Sequence, residues 1–253
     1  MQRSEEWFKS RRGKITASNL GALLGLVSFC KRQTAYDRIM GTDSATSKNI
    51  ACEWGIQNED NGIMHYMSTT ANSVSTTGLH VHAHINWLAG SPDGLVGSEG
   101  MIEVKCPYWP KRNTSSRVHK TIPVYYYVQM NALLEIMDRQ WCDYICWCPE
   151  GAAIYRVYRD NETFQYLQQF YAQIYAAVRN LCTSPPPISS FERNNILARI
   201  DTGMERFVDY HYWSNVPISN PPTYEDINED EEMPTKRQKL SNNIEENGTS
   251  AQE

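Results

Sequence analysis

The sequence lacks the features that mark membrane, secreted and repeat proteins. It has no apolar run approaching the roughly 20 residues of a membrane-spanning helix. No signal peptide follows Met1, and no internal repeat is apparent. The missing signal peptide, together with seven cysteines, favours a reducing intracellular setting. We therefore expect free thiols and no membrane partner.

Two groups of potential metal ligands have more ordinary explanations. The cysteines include no Cys-x-x-Cys pair. We therefore expect Cys142, Cys146 and Cys148 to be buried core residues rather than ligands of an iron-sulfur cluster. The alternation at 80–84 would place three histidines on one strand face, where they could hold Zn²⁺. No fourth ligand is evident, and a half-exposed strand is the simpler interpretation.

Acidic residues are concentrated at one end of the chain. The formal net charge is -5, but residues 221–253 hold nine acidic and three basic residues, which leaves a balance of +1 for residues 1–220. From residue 217 onward the sequence also loses its periodic apolar residues, which is typical of disorder. We predict one domain over residues 1–216 and a disordered acidic tail over residues 217–253.

Basic residues form two further groups. Between positions 105 and 120 there are five basic residues and no acidic ones, interleaved with Tyr108 and Trp109. This pattern predicts a surface that binds phosphates and stacks bases, an ordinary solvated loop being the alternative. The predicted nucleic-acid surface consists of Lys111, Arg112, Arg117 and Lys120. In the tail, a compact basic cluster between acidic flanks predicts a nuclear import signal and a nuclear location. Its members are Lys236, Arg237 and Lys239.

The most informative segment is a predicted hairpin that carries three charged residues. Ser-Pro-Asp-Gly-Leu at 91–95 is followed by a short turn and by Ile-Glu-Val-Lys-Cys-Pro at 102–107. Side chains alternate along a strand. Glu103 and Lys105 should therefore share one face with Met101, while the intervening Ile, Val and Cys take the opposite face. We expect one face to carry the chemistry and the other to join the core.

A pair such as Glu103 and Lys105 is more often a solvent-facing ion pair. Here, however, it interrupts an otherwise apolar strand, and charges in a buried strand need pairing or a metal ion to offset the cost of burial. Asp93 and Glu103 could bind Mg²⁺ through hard carboxylate oxygens, while Lys105 could assist the attacking water. The hairpin therefore indicates metal-dependent phosphodiester hydrolysis.

The remaining pattern predicts an α/β fold with a mixed central sheet flanked by helices. We expect helices at 4–12, 16–24, 47–67, 124–137, 160–178 and 191–212. We expect strands at 74–88, in the hairpin, and at 141–148 and 153–159. Ser18 would then lie in the first turn of a helix, where free backbone N–H groups attract anions.

Four blocks of sequence occur in a specific order. They are Glu-Trp-Phe-Lys-Ser-Arg-Arg-Gly-Lys-Ile-Thr-Ala-Ser at 6–18, Trp-Gly with a following Glu at 54–59, the two arms of the hairpin, and Tyr-Tyr-Val-Gln-Met-Asn at 126–131. In this order they resemble lambda exonuclease and the YqaJ-type viral recombinase nucleases of the PD-(D/E)XK superfamily. The resemblance covers most of residues 5–137 and implies a restriction-endonuclease-like core. One departure is Asn131, where the family often has a second Gln.

The resemblance also implies a role for each matching residue. The implied ligands of two Mg²⁺ ions, for which Mn²⁺ could substitute, are Glu59, Asp93, Glu103 and the carbonyl of Val104. Lys105 would position and help deprotonate the attacking water, and Gln129 would hold that water or the scissile phosphate. The implied pocket for a terminal 5′-phosphate consists of Arg11, Ser18 and Ser91.

We therefore expect a Mg²⁺-dependent 5′ to 3′ exonuclease that acts on the 5′-phosphate ends of double-stranded DNA. It would release 5′-mononucleotides and leave 3′ single strands for recombination or replication. An endonuclease or an RNA-degrading nuclease on the same site is the alternative. A DNA-binding or scaffold protein with a decayed site is the weakest hypothesis, because every residue that the chemistry needs is present. The resemblance further implies a homotrimer and a single-strand annealing protein as partner.

Overall fold

The computed structural model describes residues 5–28, 30–42, 50–108, 118–202 and 208–212. All of them lie in the first of the two units into which the chain divides, Met1–Ser214. The domain boundary predicted at residue 216 and the tail beyond it stay predictions. Several predicted functional residues also lie outside the described residues: Lys111, Arg112, Arg117, Lys236, Arg237 and Lys239.

The described part of the chain contains both helices and strands. The helices are α1 (Glu5–Arg11), α2 (Ala17–Leu23), α3 (Arg32–Met40), α4 (Ile50–Thr70), α5 (Val124–Met137), α6 (Asn161–Arg179) and α7 (Ser190–Thr202). The strands are β1 (Ile15–Thr16), β2 (His80–Val81), β3 (Leu88–Gly90), β4 (Gly94–Val96), β5 (Gly100–Lys105), β6 (Trp141–Cys148), β7 (Gly151–Tyr158) and β8 (Val208–Tyr212). Within the described residues, no helix is both long and apolar enough to cross a membrane.

The strands form two sheets. The smaller has the order β1-β3-β2, with β1 parallel and β2 antiparallel to β3. The larger has the order β4-β5-β6-β7-β8, in which β5 and β6 are parallel and the other neighbours are antiparallel. A parallel pair needs a long crossover connection, and α5 lies within the one between β5 and β6. Mixed sheets flanked by helices confirm the predicted fold class.

The two faces of β5 belong to two hydrophobic clusters. Met101 packs in the larger cluster, which includes buried residues of α5. Ile102, Val104 and Cys106 pack in the smaller cluster, together with Tyr66 of α4. The alternation predicted for this strand is therefore confirmed. Both faces are buried, so the charged residues of β5 lie inside the protein rather than at its rim.

α4 approaches β5 closely because a glycine faces the strand. A Cβ atom on Gly62 would lie 2.5 Å from Cγ1 of Val104. One turn earlier, the thiol of Cys106 donates a hydrogen bond to the carbonyl of Asn58 over 3.4 Å. These contacts hold Glu59, which α4 also carries, near the end of β5.

The strand predicted over 74–88 is wrong. The structure has only the short β2 and β3 near this region, separated by a turn. Nδ1 of His82 accepts hydrogen bonds from the backbone N–H groups of His84 at 3.1 Å and Ile85 at 3.2 Å. This local bonding competes with a strand ladder. The three histidines consequently do not share a strand face.

The last helix predicted over 191–212 is also wrong in its second half. α7 ends at Thr202, and β8 pairs antiparallel with β7. The sequence Val-Asp-Tyr-His-Tyr of β8 is rich in residues that favour strands. Without β8, β7 would be an edge strand and would expose a row of backbone donors and acceptors.

The helix α3 was not predicted. The predicted bounds of α5 are confirmed. The side chain of Asp160 caps the start of α6 by accepting a hydrogen bond from the backbone N–H of Thr163.

The close approach of α4 predicts opposite effects for two glycines of that helix. In Gly55→Ala the new methyl group meets open space, so the variant should gain about 1 kcal/mol through helix propensity. In Gly62→Ala the methyl group meets Val104, so we expect a loss of about 1 to 3 kcal/mol through overpacking. Urea unfolding followed by circular dichroism measures both values. A stabilised Gly62→Ala variant would contradict this packing of α4 on β5.

Candidate functional site

The hairpin of β4 and β5 brings three charged residues together. Asp93 immediately precedes β4, and its N–H donates a hydrogen bond to the carbonyl of Ile102 at 3.1 Å. Its Oδ2 accepts a hydrogen bond from the N–H of Val104 at 2.7 Å. The register of the hairpin thus fixes Asp93 beside Glu103 and Lys105 of β5.

Glu103 is the centre of this cluster and is only 1% exposed. Its Oε1 accepts hydrogen bonds from Nζ of Lys105 and, at 2.5 Å, from Nε2 of Gln129. Gln129 comes from α5, so the helix and the sheet meet at this carboxylate. The other oxygen, Oε2, is buried and has no hydrogen-bond partner among the described residues.

The acidic residues of the cluster carry more charge than one lysine neutralises. Desolvation by the surrounding protein raises the pKa of Asp93 well above its usual range, and the charges of Glu103 and Glu59 act in the same direction. Lys105 and the N–H of Val104 act in the opposite direction. Burial alone would lower the pKa of Lys105, but Glu103 and Asp93 outweigh it and raise that pKa.

A divalent cation fits this charge distribution. It would give the buried Oε2 of Glu103 a partner and would stabilise the ionised form of Asp93. Among the residues that the structure describes, no three His, Cys, Asp or Glu side chains lie close enough together to hold a metal ion. The carboxylates that could bind the cation are therefore those of Asp93 and Glu103. Glu59 on α4 lies near enough for its charge to act on Asp93. The predicted role of the Val104 carbonyl stays a prediction.

The other potential metal ligands are structural. Cys142, Cys146 and Cys148 are buried in β6, as predicted for core residues, and burial raises the pKa of each thiol. All seven cysteines are free. Nε2 of His80 bonds to the hydroxyl of Thr77 at 2.5 Å. The described histidines and cysteines take part in no group that could hold zinc or an iron-sulfur cluster.

A second polar cluster lies where α1, β1 and α2 meet. Arg11 donates hydrogen bonds to the hydroxyls of Thr16 at 3.1 Å and Ser18 at 3.3 Å. Its guanidinium carbon lies 4.1 Å from the ring centre of Trp7. Nε1 of Trp7 in turn donates to the hydroxyl of Ser91 at 3.0 Å. The structure therefore brings the three predicted pocket residues together and connects them to the segment that leads into β4.

Arg11 has a charge without a matching anion. It forms no ion pair with an acidic residue in the described part of the chain, and its hydrogen-bond partners are neutral hydroxyls. Burial lowers its pKa, with no acidic residue to raise it. Arginine binds phosphates through paired, charge-assisted hydrogen bonds. The chemistry of this cluster thus fits a phosphate.

Sequence reasoning missed two residues of the second cluster. Thr16 occupies the N-cap position of α2, but its hydroxyl makes no cap hydrogen bond and instead accepts from Arg11 and, at 3.1 Å, from Asn19. The sequence predicts no role for Trp7. The four-residue spacing between Trp7 and Arg11 was the available signal, because residues at that spacing are neighbours on a helix.

Two other predicted positions remain to be placed. Asn131, where the family often has glutamine, bonds both backbone groups of Asp160 at 3.0 Å and so holds the start of α6. Lys120 is exposed near the beginning of α5. It is the one member of the predicted nucleic-acid surface within the described residues.

The raised pKa of Asp93 predicts a stability gain on its neutralisation. The pKa of Asp93 is higher in the folded state than in the unfolded state, so the folded protein binds this proton more tightly. The protein therefore loses stability as the pH rises from the unfolded-state pKa to the folded-state pKa. In EDTA at neutral pH, the free energy of unfolding of Asp93→Asn should be higher than that of the parent protein by about 1 kcal/mol or more. The gain should shrink as the pH falls towards the usual range of an Asp carboxyl.

Thermal and urea unfolding measure this effect, and Asp60→Asn, which changes an exposed acid on α4, serves as the control. A destabilised Asp93→Asn variant at neutral pH without metal would contradict the electrostatics described for the hairpin.

Known proteins share this fold. An alkaline exonuclease (LHK-Exo) from Laribacter hongkongensis superposes with a TM-score of 0.52 at 24% identity, covering 79% of this chain and 93% of that one. LHK-Exo in complex with dAMP gives a TM-score of 0.56 at 27% identity, covering 70% of this chain and 96% of that one. The likeness confirms the restriction-endonuclease-like core predicted from the sequence.

Comparisons of sequence found a viral relative and a family model. Uncharacterized protein R354 of Acanthamoeba polyphaga mimivirus is 24% identical over 156 residues, which is 57% of this chain and 28% of that protein. The matched region thus spans little more than a quarter of that relative. The model of the YqaJ-like viral recombinase domain matches residues 6–140, more than half of this chain. The chain belongs to the YqaJ-like viral recombinase domain family, as its four sequence blocks predicted.

Proposed function

We propose that this chain is a Mg²⁺-dependent exonuclease that degrades double-stranded DNA from 5′-phosphate ends. The observation that carries the proposal is the pairing of two clusters of opposite charge. The acids around Glu103 suit a metal ion, and Arg11, which has no acidic partner among the described residues, suits a phosphate. A hydrogen bond from Trp7 to Ser91 joins them. The related LHK-Exo is an exonuclease and binds dAMP, a DNA mononucleotide.

The residues of the hairpin would prepare the attacking water. When bound, Mg²⁺ supplies a Lewis acid that favours hydroxide and offsets the charge of the leaving oxygen. Lys105 already points its ammonium group at Glu103, so it lies where it can orient the attacking water and donate a proton. Gln129 donates to the same carboxylate and would hold the water or the scissile phosphate from α5.

The Arg11 cluster would set the direction of degradation. If it holds the terminal 5′-phosphate, the phosphodiester bond that reaches the acids always lies at the same distance from the chain end. Each cut then releases one 5′-mononucleotide and creates a new 5′-phosphate for the next. A 3′ single strand remains, as recombination or replication would require. The homotrimer, the annealing partner and the nuclear location implied by the sequence stay predictions.

A duplex labelled at either end separates this function from its rivals. With Mg²⁺ we expect stepwise release of 5′-mononucleotides, whereas internal cuts would indicate an endonuclease and an intact, bound duplex would indicate a decayed site. Asp93→Ala and Lys105→Ala should each lower the rate by about 100-fold or more, because each removes a metal ligand or a proton-transfer group. Parallel assays on RNA of the same sequence test the choice of nucleic acid.

Arg11→Ala should chiefly remove the preference for phosphorylated ends. Loss of hydrogen bonds to a charged group predicts a decrease of about 10- to 100-fold in kcat/KM on 5′-phosphorylated duplex. The rate on 5′-hydroxyl duplex should change little. Arg12→Ala, which removes the adjacent exposed arginine, is the matched control and should leave the discrimination between ends unchanged. Equal cutting of both ends by the unmodified protein would rule out the phosphate pocket.

A further inference from the structure

The ammonium group of Lys105 has a second neighbour besides Glu103. Its Nζ lies 5.1 Å from the ring centre of Tyr126, within the range of a cation–π interaction. Burial raises the pKa of the Tyr126 hydroxyl despite the opposing charge of Lys105. The phenol is therefore neutral at physiological pH, and the attraction is to the ring rather than to a phenolate.

Neighbouring aromatic groups hold the Tyr126 ring in place. The rings of Tyr125 and Tyr144 lie 4.4 and 5.7 Å from it, centre to centre. The hydroxyl of Tyr144 bonds to Nδ1 of His119 at 2.6 Å. The backbone of His119 is itself fixed, because its N–H donates to the sulfur of Cys146 at 3.2 Å and its carbonyl accepts from a tyrosine of β7. The ring of Tyr126 is thus packed among other aromatic side chains.

The metal ion and Lys105 compete for the same carboxylate. Nζ of Lys105 bonds to Oε1 of Glu103, and this carboxylate is also a proposed metal ligand. A bound cation takes up part of the charge on Glu103 and repels the ammonium group. In the metal-free protein Glu103 neutralises Lys105, so the ring adds little. When the cation is bound, it offsets much of the negative charge that holds the ammonium group. The attraction between this group and the ring of Tyr126 then becomes the main interaction that keeps Lys105 in place.

We propose that Tyr126 is the positioning residue for Lys105: its ring keeps the ammonium group in the site when a divalent cation occupies Glu103. This inference rests on the proposed function, because it concerns the same metal site. Tyr126 acts through Lys105 and not through contact with the reacting atoms. Without the ring, the displaced ammonium would either obstruct the cation or leave the position from which it orients water.

Metal affinity measured without DNA tests the proposal directly. Titration of Mn²⁺ into the full chain by calorimetry should show binding to Tyr126→Leu weakened by about 3- to 30-fold, while Tyr126→Phe, which keeps the ring, should bind within about twofold of the parent protein. Tyr127→Leu is the matched control. It removes a buried tyrosine of the same helix that bonds to Asp160 instead, and the affinity of the folded variant should be unchanged. Tyr126→Met replaces Tyr126→Leu if the latter does not fold.

Turnover gives a second readout. On 5′-phosphorylated duplex at saturating Mg²⁺, Tyr126→Leu should lower kcat by about 3- to 30-fold with little change in KM, and Tyr126→Phe should restore it. Unchanged Mn²⁺ affinity and kcat in Tyr126→Leu would overturn the proposal. Equal losses in Tyr126→Phe, or in Tyr127→Leu, would overturn it as well. A parent protein that binds no Mn²⁺ and cuts no DNA would instead overturn the proposed function itself.

Discussion

A buried carboxylate in an apolar strand is the constraint on which the rest of this structure depends. Glu103 lies inside the protein because β5 has both faces covered, and an ionised group there must be surrounded by donors and opposite charge. The strand itself supplies Lys105, two positions away on the same face. α5 supplies Gln129, and α5 can approach because Gly21 of α2 leaves room for it: a Cβ on that glycine would lie 2.5 Å from Cβ of Tyr125. The close packing of α2 and α5 thus helps to bring a hydrogen-bond donor to Glu103.

The two polar clusters differ in the contacts that hold their residues in place. The acids sit where the register of a hairpin fixes them, so their spacing is set by backbone hydrogen bonds. Arg11 instead stands at the end of a short helix, held by hydroxyls and by the face of Trp7. A rigid site suits the placement of metal and water, for which small displacements are costly. In the proposed function, the guanidinium, which bonds to hydroxyl groups, would bind and release successive chain ends.

Much of the hairpin could be predicted from the sequence, because its three charged residues lie close together in the chain. The hairpin needs only strand alternation and a turn, and α5 has a clear apolar pattern, so their bounds and the grouping of Asp93, Glu103 and Lys105 were accessible. The errors arose where distant or competing interactions decide. β8 pairs with a strand some fifty residues earlier, and the ring of His82 replaces a strand ladder with a turn. The hydroxyl of Thr16 turns from its helix towards Arg11, and Asn131 turns to Asp160 instead of joining the site.

If a divalent cation binds as proposed at Oε2 of Glu103, which has no hydrogen-bond partner among the described residues, the stability of the fold depends on that cation. A ligand that binds only the folded state adds RT ln(1 + [L]/Kd) to the free energy of unfolding, about 2.7 kcal/mol at a hundredfold excess over Kd. In the proposed metal site, a cation that offsets this charge would therefore stabilise the fold as well as take part in the chemistry. The melting temperature of this protein should then rise with the concentration of free divalent ions.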